Sequence, residues 1–369
     1  MAHTAQGGQR GQGAQDHELN ILSDPCRHIA PERGLFTPFR PWRTGLLLLS
    51  RMPPDAVTPV PDSTLPAVAP HPASVDHQLA RLARLPEAPW LHGEVGRRLA
   101  EKLQAIRIEP THWVDWSAWL GASQAEVQAR YPQARRWVYE PQPAMAERSR
   151  QQWLAQHAAP WWKPWQKQQA PVFSQWPMPD AAWPSDGAGL LWANMTLHGA
   201  LDLPGLFKAW HRMLGVGGFV MCSGLGPDTG RELRALYQAM GWGLPTIDFI
   251  DMHDLGDAMA KAGFSDPVMD MERLTLTWPD AQAMLAELHT WGGNVAHGRH
   301  AGLRTPRWKA CLEAALNEHL RRPDGRLGLT LELVYGHAIK PEPRASVAPE
   351  TRVSVDDMRR MVRQKPPGV

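Results

Sequence analysis

Apolar side chains recur in this chain with two different periods, and the alternation between them lays out its elements. From His92 to Ile106, the residues Val95, Leu99, Leu103 and Ile106 fall at helical spacing, with Arg97, Arg98, Glu101 and Lys102 mostly on the other faces. Thr111–Trp116, bounded by Pro110, is short, β-branched and aromatic, which predicts a strand. Trp137–Glu140 predicts a second strand, closed by Pro141 and followed by a helix reaching Gln156. Between Ala158 and Pro184 tryptophan and proline crowd together, which predicts irregular connections with at most a short strand near Val172. An apolar strand follows at Gly189–Ala193. Leu206, Phe207, Trp210, Met213 and Leu214 then form a helical stripe ended by Gly215, and Gly217 and Gly218 predict a turn into a strand at Phe219–Ser223. Leu233, Leu236, Tyr237 and Met240 mark a helix, and Met252–Ala262 another, stopped by Gly263. Val268–Trp278 reads as a strand interrupted near Asp270–Glu272. Helices at Ala281–Trp291 and Pro306–Arg321 precede a last strand at Leu329–His337.

Strands alternating with helices predict an α/β domain built on a parallel, doubly wound sheet. The late pair of strands lets one of them run antiparallel. Ligands of such sheets bind beyond the carboxyl ends of the strands, at the switch point near the first. This domain spans residues 75–345. Residues 1–74, rich in Gln, Gly, Pro and Ala without periodicity, are expected to be a disordered extension. Met52 precedes a proline-rich linker into the first periodic segment, so translation is expected to begin there, with residues 1–51 outside the protein. Residues 346–369 are a polar tail with a short helix capped by Ser354.

Composition narrows the function classes. A net charge of +2 over 369 residues gives no reason to expect a nucleic acid or a membrane surface as partner. No apolar run approaches the ~18 residues of a spanning helix. The short run Gly45–Ser50 starts too far into the chain for a secretory signal. Three widely spaced cysteines, Cys26, Cys222 and Cys311, provide neither a disulfide framework nor a metal or iron–sulfur cluster, and fit a reducing, cytoplasmic setting. No metal site is expected. Seven of the 18 tryptophans fall between Trp153 and Trp192, where buried indoles filling a core are the expectation ahead of a remodelled aromatic pocket.

Several phrases, in order and spacing, resemble the malonyl-acyl-carrier-protein O-methyltransferases of biotin synthesis. They are Ala193-Asn194-Met195-Thr196-Leu197-His198, Ser223-Gly224-Leu225-Gly226-Pro227-Asp228-Thr229, Asp251-Met252-His253-Asp254, Gly256-Asp257, Ala262-Gly263-Phe264, Asp266 to Glu272, and Leu333-Val334-Tyr335-Gly336-His337-Ala338. The resemblance implies the Rossmann-like, seven-stranded sheet of class I methyltransferases, mostly parallel with one antiparallel strand near the C-terminal end. It also implies S-adenosylmethionine as methyl donor, and as substrate the free carboxylate of a malonyl group on acyl carrier protein.

The cofactor residues follow from the same resemblance. The loop after the first strand should read acidic-x-Gly-x-Gly-x-Gly. Here Asp115 and Gly121 match, while Ser117 and Trp119 stand at the first two glycine positions. Glu140, ending the second strand, is assigned the ribose hydroxyls. Ser174 stands where an acidic residue near adenine is expected, and Asn194 follows the fourth strand near the transferred methyl.

A malonyl carboxylate is ionised at pH 7, so no general base is required. The site needs a cation to orient it, with Arg231 the first candidate and His253 and His337 weaker ones. Asp228 and Thr229 are competing candidates for a simple helix cap. Acyl carrier proteins are acidic, so a basic face is expected, drawn from Arg304, Arg307, Lys309, Arg321 and Arg322 or from Arg97, Arg98 and Lys102. Two other readings stay open on the substituted loop: a catalytically inactive protein of this fold that binds acyl carrier protein or a pathway partner, and a methyltransferase of another small carboxylate.

Overall fold

A computed structural model of the chain describes residues 68–156, 171–175, 186–300, 302–343 and 354–363. The expected extension up to residue 67, with Met52, and most of the tryptophan-rich stretch and of the tail lie outside the described residues. The strands are β1 (His112–Trp116), β2 (Arg135–Glu140), β3 (Val172–Gln175), β4 (Ala188–Ala193), β5 (Leu214–Leu225), β6 (Ser265–Trp278) and β7 (Leu327–Ile339). The helices are α1 (Pro72–Leu82), α2 (Trp90–Lys102), α3 (Ala118–Gly121), α4 (Gln124–Arg130), α5 (Pro143–Gln156), α6 (Leu203–Met213), α7 (Arg231–Ala239), α8 (Met252–Lys261), α9 (Ala281–Trp291), α10 (Pro306–His319) and α11 (Val355–Arg363).

Strand order is β3-β2-β1-β4-β5-β7-β6. Neighbours from β3 to β5 pair in parallel. Against β5, β7 runs the other way: the Gly217 N–H donates to the Lys340 carbonyl at 2.9 Å and the Gly226 N–H to the Glu332 carbonyl at 2.8 Å. The sheet is therefore mixed and mostly parallel, as expected. Its order reverses direction between β1 and β4, so the segments leaving those strands flank the switch point.

The chain forms two compact units. Of the described residues, those up to Arg84, in Leu225–Ile250 and in Glu272–Leu333 make one; those in Leu85–Gly224, in Asp251–Met271 and from Val334 on make the other. In the first, Trp242, Trp278, Trp308, Met284, Leu312 and Leu316 form a buried core. Arg81 fastens α1 there, donating to the carbonyls of Gly292 at 2.5 Å and His289 at 3.1 Å. The last part of the expected extension, up to residue 74, is tied down here: the Val68 N–H donates to Asp248 at 3.1 Å and the His71 N–H to the Val295 carbonyl at 2.7 Å.

In the second unit Trp113, Trp192 and Trp210 are fully buried among aliphatic strand residues. Trp192 thus fills core, as expected; Trp161, Trp162, Trp165, Trp176 and Trp183 lie outside the described residues. Helix starts follow local capping chemistry. Asp202, Asp280 and Thr305 accept from the backbone of Gly205, Ala283 and Trp308 at the heads of α6, α9 and α10.

Three local expectations change. Gly217 and Gly218 do not turn the chain. Gly217 takes φ 78° inside β5, and both glycines bond Lys340, so the strand runs on from Leu214. β6 is unbroken through Asp270–Glu272. Cys311 is disulfide-bonded, where no disulfide is expected, while Cys222 is a buried free thiol. Among the described residues no helix is long and apolar enough to cross a membrane, and no group of ligands could hold a metal.

Candidate cofactor site

β1 delivers Asp115 to the interior, and the chain then turns at Ser117. That turn is left-handed, with φ 55° and ψ 48°, and the Ser117 N–H still extends the ladder to the Tyr139 carbonyl at 2.8 Å. The position therefore has the backbone conformation that a glycine would take freely. A side chain there costs ~1–2 kcal/mol. Trp119 is different. It lies inside α3, where no positive φ is needed, so its substitution for glycine carries no backbone penalty. Gly121 is not at positive φ either. A Cβ built on it would meet Asn194 at 3.8 Å, an ordinary contact.

Glu140 ends β2 with only 1% of its surface exposed. Its Oε1 accepts the Trp119 N–H at 2.7 Å and the Ser149 hydroxyl from α5. Burial pushes its carboxyl pKa up to about 7; the two donors and Arg136 oppose the rise, and Asp115 adds to it. Among the described residues Oε2 takes no protein hydrogen bond, and a carboxylate offers about four acceptor positions. Asp115 is equally buried. Arg136 reaches across from β2 to its Oδ2 with Nε at 3.0 Å and Nη2 at 2.6 Å. Burial raises the Asp115 pKa and Arg136 opposes the rise.

The Trp119 indole is buried beneath the Arg148 guanidinium, 4.5 Å from its ring centre. Arg148 in turn donates to the carbonyls of Leu85 and Pro86 at 3.0 and 2.6 Å. The indole Nε1 is buried without an acceptor among the described residues.

Asn194 leaves β4 fully engaged. Its amide donates to the carbonyls of His92 at 2.7 Å and Gly121 at 2.6 Å, and its Oδ1 accepts the Ser223 hydroxyl at 2.7 Å. It joins α2, α3 and β5 to the end of β4. Close approach of α2 depends on Gly96, where a Cβ would lie 2.3 Å from the Ser123 Cβ. The His92 Nδ1 lies 2.7 Å from the Leu120 carbonyl, and burial pushes the His92 pKa down to about 4. His198 is pushed down to about 3 by burial, with neighbouring His92 adding to it. Ser174 lies in β3 opposite Tyr139, one step before the Glu140 pairing.

The expected carboxylate-orienting residues differ in standing. Arg231 belongs to the first unit. It is half-exposed, with Asp228 and Glu232 each 3.4 Å away. Arg273, not anticipated, holds the same Asp228 at 2.9 Å. Asp228 and Thr229 do not cap α7, whose N-cap is Gly230 at φ 66°. Thr229 instead bonds the Glu332 backbone on β7 in both directions at 3.0 Å. His253 and His337 belong to the second unit. His253 is 80% exposed and bonded to Asp251 at 2.6 Å, at the head of its own helix. His337 is half-buried on β7, and burial lowers its pKa.

An acid near the end of β1, a turn and short helix beside the switch point, and a second acid ending β2 lie where doubly wound α/β proteins, as a class, bind their ligands. The sequence narrows the class. The malonyl-[acyl-carrier protein] O-methyltransferase of Gallionella capsiferriformans is 36% identical over 266 residues, covering 69% of this chain and 86% of that protein. The enzyme of the same name from Halorhodospira halophila is 34% identical over 286 residues, covering 76% and 92%. The chain belongs to the malonyl-[acyl-carrier protein] O-methyltransferase family. No protein-family model matches it. Among solved structures, the YcgJ protein from Bacillus subtilis is 11% identical with a TM-score of 0.45, covering 66% of this chain and 98% of that one.

Proposed function

We propose that this chain is an S-adenosylmethionine-dependent methyltransferase that esterifies the free carboxylate of a malonyl group carried on acyl carrier protein. The observation that carries the reading is the 36% identity over 266 residues to an enzyme named for that reaction. The strand order, with β7 antiparallel, is read as the seven-stranded class I sheet. The ester would disguise the malonyl group as an ordinary acyl primer, which suits biotin precursor synthesis.

The residues at the switch point fit the cofactor. Glu140 keeps Oε2 for ribose hydroxyls, because its protein donors converge on Oε1. Ser117 already holds the left-handed turn. Among the described residues the Trp119 Nε1 is a buried donor without an acceptor, a state that costs ~1–3 kcal/mol unless a ligand supplies one. Asp115 and Asn194 act one step back: Asp115 through Arg136, and Asn194 by fixing the Gly121 carbonyl. Gly121 leaves room for close backbone approach, and Ser174 marks the adenine side on β3. The bound group supplies an electrophilic methyl on a sulfonium.

The rest is alignment and desolvation. The carboxylate nucleophile, with pKa near ~4, is ionised without a base. Arg231 remains the candidate for orienting it, through exchange of one of its two carboxylate partners. Incubation with S-adenosylmethionine and malonyl-acyl carrier protein, followed by intact-mass spectrometry of the carrier, tests the reading. The carrier should gain one methyl group. An unchanged carrier, with a chain that demonstrably binds S-adenosylhomocysteine, would overturn it.

A further inference from the structure

The two basic clusters along the chain meet different fates in the fold. Arg97 lies 2.9 Å from Glu94 and also pairs with Glu101; Arg98 lies 2.8 Å from Glu94; Lys102 pairs with Asp270. Those cations are neutralised by acids of their own surface. The second cluster, with Arg299 just before it, lies within the first unit; Lys309 pairs with Glu313 at 3.5 Å, whereas residues 288–312 themselves contain no Asp or Glu. Arg299 there donates to the Ser74 hydroxyl at 3.3 Å and the His300 carbonyl at 3.4 Å. Arg304 donates to the Trp242 carbonyl at 3.0 Å and lies over the Trp308 ring at 4.4 Å. Both are held by neutral groups, and among the described residues neither meets a carboxylate. Between them Leu303 is 99% exposed. The amino end of α10, fourteen residues long and capped by Thr305, adds the positive end of its dipole beside them.

An apolar side chain flanked by positioned but uncompensated arginines suits a partner with the opposite pattern: a small acidic helix with apolar residues along one edge. We propose that the segment from Arg299 to the first turn of α10 docks the acyl carrier protein, with Arg299 and Arg304 meeting its acidic side chains and Leu303 its apolar edge. The proposal rests on the substrate assigned above and adds where that substrate's protein part is gripped. Burying Leu303 against the carrier removes the most exposed apolar side chain of the loop from water. The arginines steer the encounter, so association weakens with salt.

Arg299 and Leu303 are exposed, so Arg299→Glu with Leu303→Ser tests the face without touching the core, and an unchanged melting temperature checks that. The probe is fluorescently labelled malonyl-acyl carrier protein, followed by anisotropy, with methyl transfer to malonyl-coenzyme A measured separately. The double variant should bind the carrier about tenfold or more weakly, and turn over the carrier-free thioester at the unaltered rate. Unweakened carrier binding would overturn the docking face. Equal loss on the carrier-free thioester would also overturn it, because the residues would then serve the reaction rather than the carrier. An RNA oligomer displacing the carrier as well as unlabelled carrier does would assign the face to a polyanion and overturn it too. Weakened carrier binding in the variant, with no methyl transfer by the parent chain, would keep the docking face and refute the proposed reaction.

Discussion

Glu140 shows how a single side chain couples folding to ligand chemistry. Its folded pKa, about 7, lies above the ordinary 4.5. The folded chain therefore binds more protons than the unfolded chain between those values. The stability this contributes is complete below pH 4.5 and is lost as pH rises through 7. The loss amounts to roughly 3 kcal/mol, since each tenfold change in proton affinity between folded and unfolded chain is worth about 1.4 kcal/mol. Glu140→Gln should remove this part of the decline, so that the ligand-free variant melts higher than the parent at pH 8.5 and about equally at pH 5. The same substitution should weaken S-adenosylhomocysteine binding at both pH values. Equal melting of the two proteins at pH 8.5 would show that no buried charge is being carried.

His92 has the opposite sign. Its pKa falls from 6.5 to about 4, so its contribution is present above 6.5 and lost as pH falls through 4. At this scale the sequence is informative about which residues matter and silent about how. Asp115 stands near the end of β1 and Glu140 ends β2, as the strand pattern predicts. Nothing in the spacing announces that Arg136 occupies one, or that the backbone of Trp119 and the Ser149 hydroxyl occupy the other. The sequence places Trp119 at a glycine position of the loop and says nothing of where its ring lies. In the fold the ring stacks under Arg148 and offers its N–H inward.

Among the elements, the contact of α2 with the start of α4 and the end of β4 sets the site's shape. Gly96 permits it, and Asn194 bonds it on both sides. Gly96→Ala should cost about 3 kcal/mol, since the methyl meets packed Ser123 and Asn194 rather than a flexible chain end. Gly121→Ala should leave the melting temperature within about a degree, because only ordinary contacts await its methyl. If backbone approach to the cofactor occurs there, the same change weakens S-adenosylhomocysteine binding. A large loss of stability in Gly121→Ala, or none in Gly96→Ala, would refute this division of labour.

Element periodicity is legible where one face is buried against the sheet, as in α2, α6, α9 and α10. It is not legible in α1, which sits at the edge of a low-complexity segment, or in the start of β2. There two arginines mask a strand, because Arg136 is neutralised by a residue 21 positions away. The glycines before Phe219 mislead for a related reason: tertiary pairing with Lys340 overrides their turn preference.

For the whole molecule, substitution of the cofactor loop and retention of the family's sequence pull in opposite directions. The geometry resolves much of the tension. Of the substituted glycine positions only Ser117 bears a backbone penalty, of order 1–2 kcal/mol; Ala122, directly after the loop, is also left-handed at φ 48°. Trp119 and Gly121 bear none. A loop with so small a local cost can still bind its ligand, since among the described residues Glu140 Oε2 meets no protein donor and the Trp119 indole N–H no acceptor. Sequence resemblance points to the reaction and the family. It cannot choose between two basic surfaces, because pairing between Arg97 and Glu94 or the isolation of Arg299 from acids exists only in the fold. Calorimetric titration of the full chain with S-adenosylhomocysteine, and then with S-adenosylmethionine, tests the account most directly. Saturable one-site binding of both, with Kd between about 1 μM and 1 mM, is the predicted result. No heat of binding from either ligand up to about 1 mM would contradict it.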